Sequence, residues 1–202
     1  MKVTVFNNNG GVGKTTVSII LTQIALTHHK QVLGVDIDET KNFYGSMSYL
    51  TTDPNFRGSF MLKTFLDDGL LNSQYDLMII DCPAHFDDLV RLAITSADVV
   101  VIPVRPDIYS VEQIPIIRRE SQGKTLDELP LVKVGFADGG RAAREINGRI
   151  GNYRVIGDLP IHRSINYNLS IGRAKWWSLG LTASARKPFE QMYSNLMSLA
   201  KG

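Results

Sequence analysis

The run Asn7-Asn8-Asn9-Gly10-Gly11-Val12-Gly13-Lys14-Thr15-Thr16 gathers glycines, a lysine and adjacent hydroxyls, the residue types that wrap a row of phosphates. Closely spaced glycines let the backbone curl until successive N–H groups point inward, and a helix starting just after them adds partial positive charge at the same spot. Lys14 would reach the β- and γ-phosphates, and the Thr15 hydroxyl would complete a Mg2+ shell. The β-branched run Val3-Thr4-Val5-Phe6 precedes the loop and an apolar-periodic segment follows it, so the order is strand, loop, helix. This order predicts a nucleoside triphosphate site with Asn9, Gly10, Gly11, Val12, Gly13, Lys14, Thr15 and Thr16 as its cradle. The loop departs from the ordinary pattern G-x-x-x-x-G-K-S/T, because Asn8 stands where the first glycine belongs.

Two carboxylate-bearing segments follow. Val35-Asp36-Ile37-Asp38-Glu39-Thr40-Lys41-Asn42 ends an apolar run with two alternating aspartates, which would carry both carboxylates toward the phosphate side. Asp76-Leu77-Met78-Ile79-Ile80-Asp81-Cys82-Pro83 is an apolar strand closing on a carboxylate, the form in which Asp81 accepts a hydrogen bond from a Mg2+-bound water. Buried strands often end in aspartate for structural reasons alone. Its place after a phosphate loop is what turns Asp81 into a metal candidate.

Positioning these groups requires a particular layering. Strands are expected near Val3–Phe6, Val32–Asp36, Leu77–Asp81, Val99–Pro103, Val132–Phe136 and Arg154–Ile156. Helices are expected near Thr15–His29, Asp87–Thr95, Ser110–Ser121, Ala142–Ile150 and Ser184–Ala200. Strands alternating with helices imply an α/β fold, a mostly parallel twisted sheet with helices on both faces. Ligands of such sheets bind beyond the carboxyl ends of the strands, where every motif above sits. Thr51 to Gly58 is the best candidate for a mobile surface segment.

The chain has 202 residues, 44% of them hydrophobic and 21% charged, enough to bury its core as one domain over residues 1–202. Met1-Lys2 runs straight into the first strand, without a signal core, and no apolar stretch approaches a membrane span, so a cytoplasmic protein is expected. Cys82 is the sole cysteine, which excludes an internal disulfide and a cysteine-rich zinc site; it reads as a small buried apolar residue. In total there are 22 Lys and Arg against 20 Asp and Glu, yet residues 1–100 hold 7 against 11, leaving 15 against 9 for the remainder. Basicity is therefore concentrated in the second half, where it reads either as a nucleic-acid surface or as a solvated face.

Gly10 through Thr16 resemble the deviant Walker A motif of the ParA/MinD family, K-G-G-x-G-K-S/T-T. In that family a signature lysine ahead of the paired glycines reaches across a dimer to the partner's nucleotide. Here Asn9 takes that place, and an uncharged amide supplies no cation. The second segment resembles the family's D-x-D-P-Q-G-N, with Glu39, Thr40 and Lys41 in place of Pro-Gln-Gly. Asp81-Cys82-Pro83-Ala84 fits the family's D-x-P-A, Pro103-Val104-Arg105-Pro106 its P-x-x-P loop, and Asp158-Leu159-Pro160-Ile161-His162-Arg163 its I-P-x-R segment beside the base. The resemblance implies a P-loop NTPase of the deviant Walker A type that uses ATP and Mg2+. It implies Lys14 and Asp38 in catalysis, Asp38 orienting the attacking water; Pro160 near the base; and Thr15, Asp36 and Asp81 around the metal. Arg105, Arg141, Arg144, Arg163 and the more distant Lys175 are candidates for the missing cation.

Absence of the signature lysine makes the chain similar to the carboxysome-positioning McdA-like branch, while plasmid-partition ParA proteins share the remaining motifs. The implied partners are a second copy on ATP binding, nonspecific DNA, and a ParB-like or McdB-like adaptor on a cargo, which implies association with the nucleoid. With Met1 so near the first strand, no operator-binding module is expected ahead of it. A MinD-like membrane-surface switch is the alternative, but Phe189 to Met197 has the apolar spacing of a helix packed on a sheet rather than a basic amphipathic tail, so no stable membrane association is expected. Metabolic relatives form a third class; among them the nitrogenase iron protein needs cysteines this chain lacks. Trp176-Trp177 read as packing and His28-His29 as cations at a helix end, not as a metal pair.

Overall fold

Unbroken runs of valine, isoleucine and leucine form the middle of the sheet, because strands covered on both faces have no solvent side to make polar. The computed structural model describes residues 1–125, 127–136, 140–160 and 182–199. Seven strands are β1 (Lys2–Val5), β2 (Val32–Asp36), β3 (Phe60–Lys63), β4 (Leu77–Asp81), β5 (Val99–Val104), β6 (Leu131–Val134) and β7 (Val155–Leu159). All pair in parallel, in the order β3-β2-β4-β1-β5-β6-β7. Strands β2, β4 and β5 are buried along their whole lengths, as their composition dictates.

Two apolar cores lie on opposite faces of the sheet. On one, α1 (Lys14–Thr27) packs with α2 (Asn42–Met47) and α8 (Ala183–Leu199) around Val3, Val5, Leu77, Ile79 and Val101. Helix α8 buries Phe189, Met192, Tyr193 and Leu196, as the apolar spacing of that segment requires. Its Tyr193 stacks on His28, which closes α1. On the other face, α4 (Asp88–Ser96), α6 (Ile114–Glu120) and α7 (Arg141–Arg149) cover Met78, Ile80, Val100, Ile102 and Leu131. The α/β sheet with helices on both faces is as expected, and Cys82 is buried in the second core.

Three elements were not expected from the sequence. Strand β3 is a short edge strand without alternation, α2 spans one and a half turns, and α3 (Asp68–Leu71) is a single turn whose cap, Asp67, accepts a hydrogen bond from the Leu70 N–H. The helix expected over Ser110–Ser121 divides into α5 (Ile108–Glu112) and α6, with Pro115 in the first turn of the latter. Residues 52–59 form bends and turns between a 3-10 turn at Ser48–Thr51 and β3.

Strand β7 and helix α8 approach closely because Gly157 has no side chain: a Cβ there would stand 2.9 Å from Met192 Cβ and Cγ. Met192 Cβ is fixed to the helix backbone, so the helix itself would have to move. Gly157→Ala is expected to destabilise the protein by about 1–3 kcal/mol, read as a lowered urea midpoint. Met192→Ala added to it should recover part of that loss, giving a non-additive double-mutant cycle.

Candidate nucleotide site

The loop between β1 and α1 leaves the carboxyl edge of the sheet at its centre, between β4 and β5. Gly11 and Gly13 take φ values of 72° and 100°, a region that side chains disfavour, and this is what curls the loop and opens α1 directly at Lys14. Gly13 also backs onto Val134 at the end of β6. The loop is anchored at its start by Asn7, fully buried, whose amide donates to the carbonyls of Pro103 at 2.8 Å and Ser110 at 3.0 Å. The Asn7 side-chain oxygen in turn accepts the Asn9 N–H at 3.0 Å, and Asn8 donates to Gln113 at 3.1 Å. Asn8, which breaks the ordinary loop pattern, is therefore a structural brace alongside Asn7.

Val12 is buried, Gly10 and Gly11 are exposed at the crest, and Thr16 is half-buried in the first turn of α1. Lys14 folds back so that its Nζ donates to the Asn9 carbonyl at 3.0 Å. Burial lowers the Lys14 pKa, while the charges of Asp81 and Asp38 oppose that shift. Both carboxylates thus lie within electrostatic reach of the lysine.

Asp81 ends β4 fully buried and accepts two hydroxyls from the start of α1, Thr15 at 2.8 Å on one oxygen and Ser18, in the next turn, at 2.7 Å on the other. Ser18 escaped the sequence reading; its spacing of three from Thr15 on a helix face was the available signal. Asp36 lies opposite Asp81 in the β2–β4 register, equally buried. Its oxygens accept the N–H groups of Asp38 at 3.1 Å and Tyr44 at 2.7 Å, which ties the start of α2 to the end of β2. Burial pushes Asp81 up to about 7 and raises Asp36 as well.

Asp38 holds the turn after β2, one oxygen accepting both the N–H and the hydroxyl of Thr40, at 2.8 and 2.7 Å. Lys41, where the resembling motif carries glycine, adopts φ 52° and so keeps the glycine-like conformation. Its Nζ donates to the Asp36 carbonyl at 3.1 Å and to that of Thr64 at 3.5 Å.

Arg105, following β5, reaches the loop, its Nη1 on the Gly11 carbonyl at 3.3 Å. Arg141 and Arg144 lie on α7, beyond β6. Pro160 follows β7, three strands from β1 at the far end of the sheet. Ile161, His162, Arg163, Lys175, Trp176 and Trp177 lie outside the described residues. The structure thus gathers Lys14, Thr15, Asp36, Asp38 and Asp81 at one sheet edge, with Pro160 apart from them.

The family model for an AAA domain, AAA_31, matches residues 1–68 and 47–122, a span that takes in every one of the gathered residues. A chromosome-partitioning ATPase, Soj of Thermus thermophilus, is 26% identical over 142 residues, covering 55% of this chain and 57% of that protein. The match spans less than two thirds of the curated relatives' length. Among solved structures, the septum site-determining protein MinD of Pyrococcus horikoshii OT3 with Mg-ADP superposes with a TM-score of 0.77 at 16% identity, over 99% of this chain and 97% of that one. An ATP complex of Cyanothece McdA gives 0.70 at 18% identity, over 98% and 96%. At such identities the likeness is one of fold. Together with the phosphate loop and the carboxylates at the strand ends, these matches place the chain in the AAA domain family, with the ParA/MinD type of fold.

Proposed function

We propose that this chain is an ATP-dependent dimeric switch whose ATP state adheres to nonspecific DNA and positions or segregates a cargo. Slow hydrolysis of ATP to ADP and phosphate, stimulated by a ParB-like or McdB-like adaptor on the cargo, would end that state. The observation that carries the reading is the pair of hydroxyls, Thr15 and Ser18, on Asp81, which fixes the end of β4 to the helix that begins at Lys14. Similarity to the Soj ATPase over the matched segment and the fold shared with an ATP complex of McdA support its biological half.

Loop N–H groups and Lys14 would hold the β- and γ-phosphates; an ammonium has three donors, and the Asn9 carbonyl uses one. Asp38, with one oxygen engaged by Thr40, would orient water with the other for in-line attack. The chemistry at Thr15, Asp81 and Asp36 fits Mg2+: hard oxygen donors, two of them buried carboxylates side by side, Asp81 held by hydroxyls rather than by a cation. Among the described residues no trio of His, Cys, Asp or Glu forms a complete protein cage, which suits a metal that keeps waters and phosphate oxygens as ligands. When bound, Mg2+ would neutralise charge on the phosphate oxygens.

The basic half of the chain suits a surface that meets DNA through phosphates, and such binding must weaken with salt. With ATP, DNA affinity is expected to fall by at least about 100-fold between roughly 50 and 200 mM salt, with none retained in ADP. Equal retention with both nucleotides, salt-insensitive binding, or flotation of the ATP form with liposomes in place of DNA binding overturns the DNA reading. Lys14→Ala should weaken ATP binding by about 100-fold or more, while Asp38→Ala should keep binding and lower turnover by about 100-fold. A calorimeter that registers no heat with magnesium ATP and the wild-type chain sinks the reading as a whole.

The raised Asp81 pKa makes a separate expectation about stability. Between the unfolded carboxylate value of about 4 and the folded value of about 7, the native state holds more protons than the unfolded chain, so stability is lost as pH rises through that window. Urea titrations without nucleotide should show Asp81→Asn more stable than wild type at pH 7.5 by at least about 1 kcal/mol. That difference should shrink toward pH 4, and a constant difference would contradict the burial argument.

A further inference from the structure

The turn after β5 carries a cation that the reading above leaves unused. Arg105 is exposed, yet its guanidinium lies against the crest of the loop, Nη1 donating to the Gly11 carbonyl at 3.3 Å. Its backbone is held from both sides by one fully buried hydroxyl: the Arg105 N–H donates to Ser110 Oγ at 3.1 Å, and that hydroxyl donates to the Arg105 carbonyl at 3.0 Å. Pro106 restricts Arg105 to extended backbone, and Asp107 caps α5 by accepting the Ser110 N–H at 2.9 Å. Asn7 closes the assembly from the loop side through the carbonyls of Pro103 and Ser110. The backbone from which the guanidinium projects is thus fixed, and its planar fork is pre-organised for an oxyanion.

Charge balance gives that placement a use. A triphosphate with one divalent cation remains a net anion after Lys14 is counted, and Asp36, Asp38 and Asp81 surround it with further negative charge. Asn8 and Asn9, at the loop's start, contribute amides only. Amides of a phosphate cradle point inward and its carbonyls outward, so a guanidinium resting on the Gly11 carbonyl sits on the rim of the cradle. The contact is long, exposed and uses one of five donors. A phosphate oxygen, charged and matched to the guanidinium fork, is the stronger acceptor.

We propose that Arg105 is the second phosphate-binding cation of the site, parked on the Gly11 carbonyl and turning onto the terminal phosphate of a triphosphate held in its own loop. The inference rests on the triphosphate reading of that loop. It makes Ser110 a positioning residue, acting through the Arg105 backbone.

Arg105→Ala and Arg105→Lys, in the full chain, would be compared with wild type for fluorescent ATP and ADP binding and for single-turnover hydrolysis. For Arg105→Ala we expect ATP affinity to fall by about 10- to 100-fold, ADP affinity to stay within about threefold, and hydrolysis to fall by about 100-fold or more, with Arg105→Lys recovering part of the affinity. Thermal midpoints should not move, because the side chain is exposed. Wild-type binding with an unchanged ATP-to-ADP preference in Arg105→Ala overturns this inference and leaves the proposed function standing, whereas failure of the wild-type chain to bind either nucleotide overturns both. Mixing Arg105→Ala with Lys14→Ala chains tests whose phosphate is touched. Restored hydrolysis in the mixture would assign Arg105 to the partner's nucleotide and overturn the same-loop contact.

Discussion

The Asp81 carboxylate, buried at the end of β4, accepts hydroxyls from Thr15 and Ser18 in the first two turns of α1, and the geometry of the site follows from that contact. A carboxylate removed from water must find donors, and two hydroxyls one turn apart are the neighbours able to supply them without closing the edge to a ligand. Because α1 begins at Lys14, anchoring its first turn to β4 fixes where the lysine starts and where the loop must end. Because β2 pairs with β4 in register, the same level of the sheet also receives Asp36, and through its two N–H contacts the turn that carries Asp38.

The other side of the loop is fixed by a different chemistry. Asn7 satisfies one backbone carbonyl of β5, that of Pro103, and one of α5, that of Ser110, with one buried amide, and its oxygen accepts the Asn9 N–H, so the loop, β5 and α5 share a single set of polar contacts. Neither brace involves a charge pair. Above and below, the two apolar cores hold α1 and α4 to opposite faces, so the polar edge is the place where both layers open to solvent.

Much of this was written into the residues in readable form. Glycines with a following Lys-Thr, and apolar strands closing on aspartate, have few alternative meanings once they occur in order, and β1, β2, β4 and β5 lie within a residue or so of their expected places. Helix α8 was legible for the same reason, its apolar spacing matching the face it buries. What escaped was decided by neighbours rather than by local pattern. Strand β3 exists because β2 offers it an edge, and α2 because Asp36 accepts the Tyr44 N–H across an intervening turn. The segment Ser110–Ser121 read as one helix from its apolar positions, although Pro115 already marked a break, and the Ser110 carbonyl that Asn7 holds lies just ahead of it. Ser18 had only its spacing from Thr15 to mark it, because a hydroxyl inside a helix usually means a bond to its own backbone, and Ser18 Oγ also lies 3.1 Å from the Lys14 carbonyl.

For the switch proposed above, a triphosphate and a diphosphate must be told apart, and a ligand shifts an equilibrium only by its differential contacts with the two states. Two segments border the loop, 36–42 on the α2 side, whose Asp38 acts electrostatically on Lys14, and 105–113 on the α5 side, whose Arg105 touches Gly11. Each of those segments is held by a cation resting on main-chain carbonyls. Lys41 sits at φ 52°, a conformation a lysine adopts at a cost of about 1 kcal/mol, secured by its bonds to the Asp36 and Thr64 carbonyls. Arg105 sits on the carbonyl of a loop glycine. If a terminal phosphate drew on both segments, its loss would return them to these contacts, and because 105–113 contains α5 and runs directly into α6, the change would be carried to the outer surface of the second face by rigid elements rather than by a flexible linker.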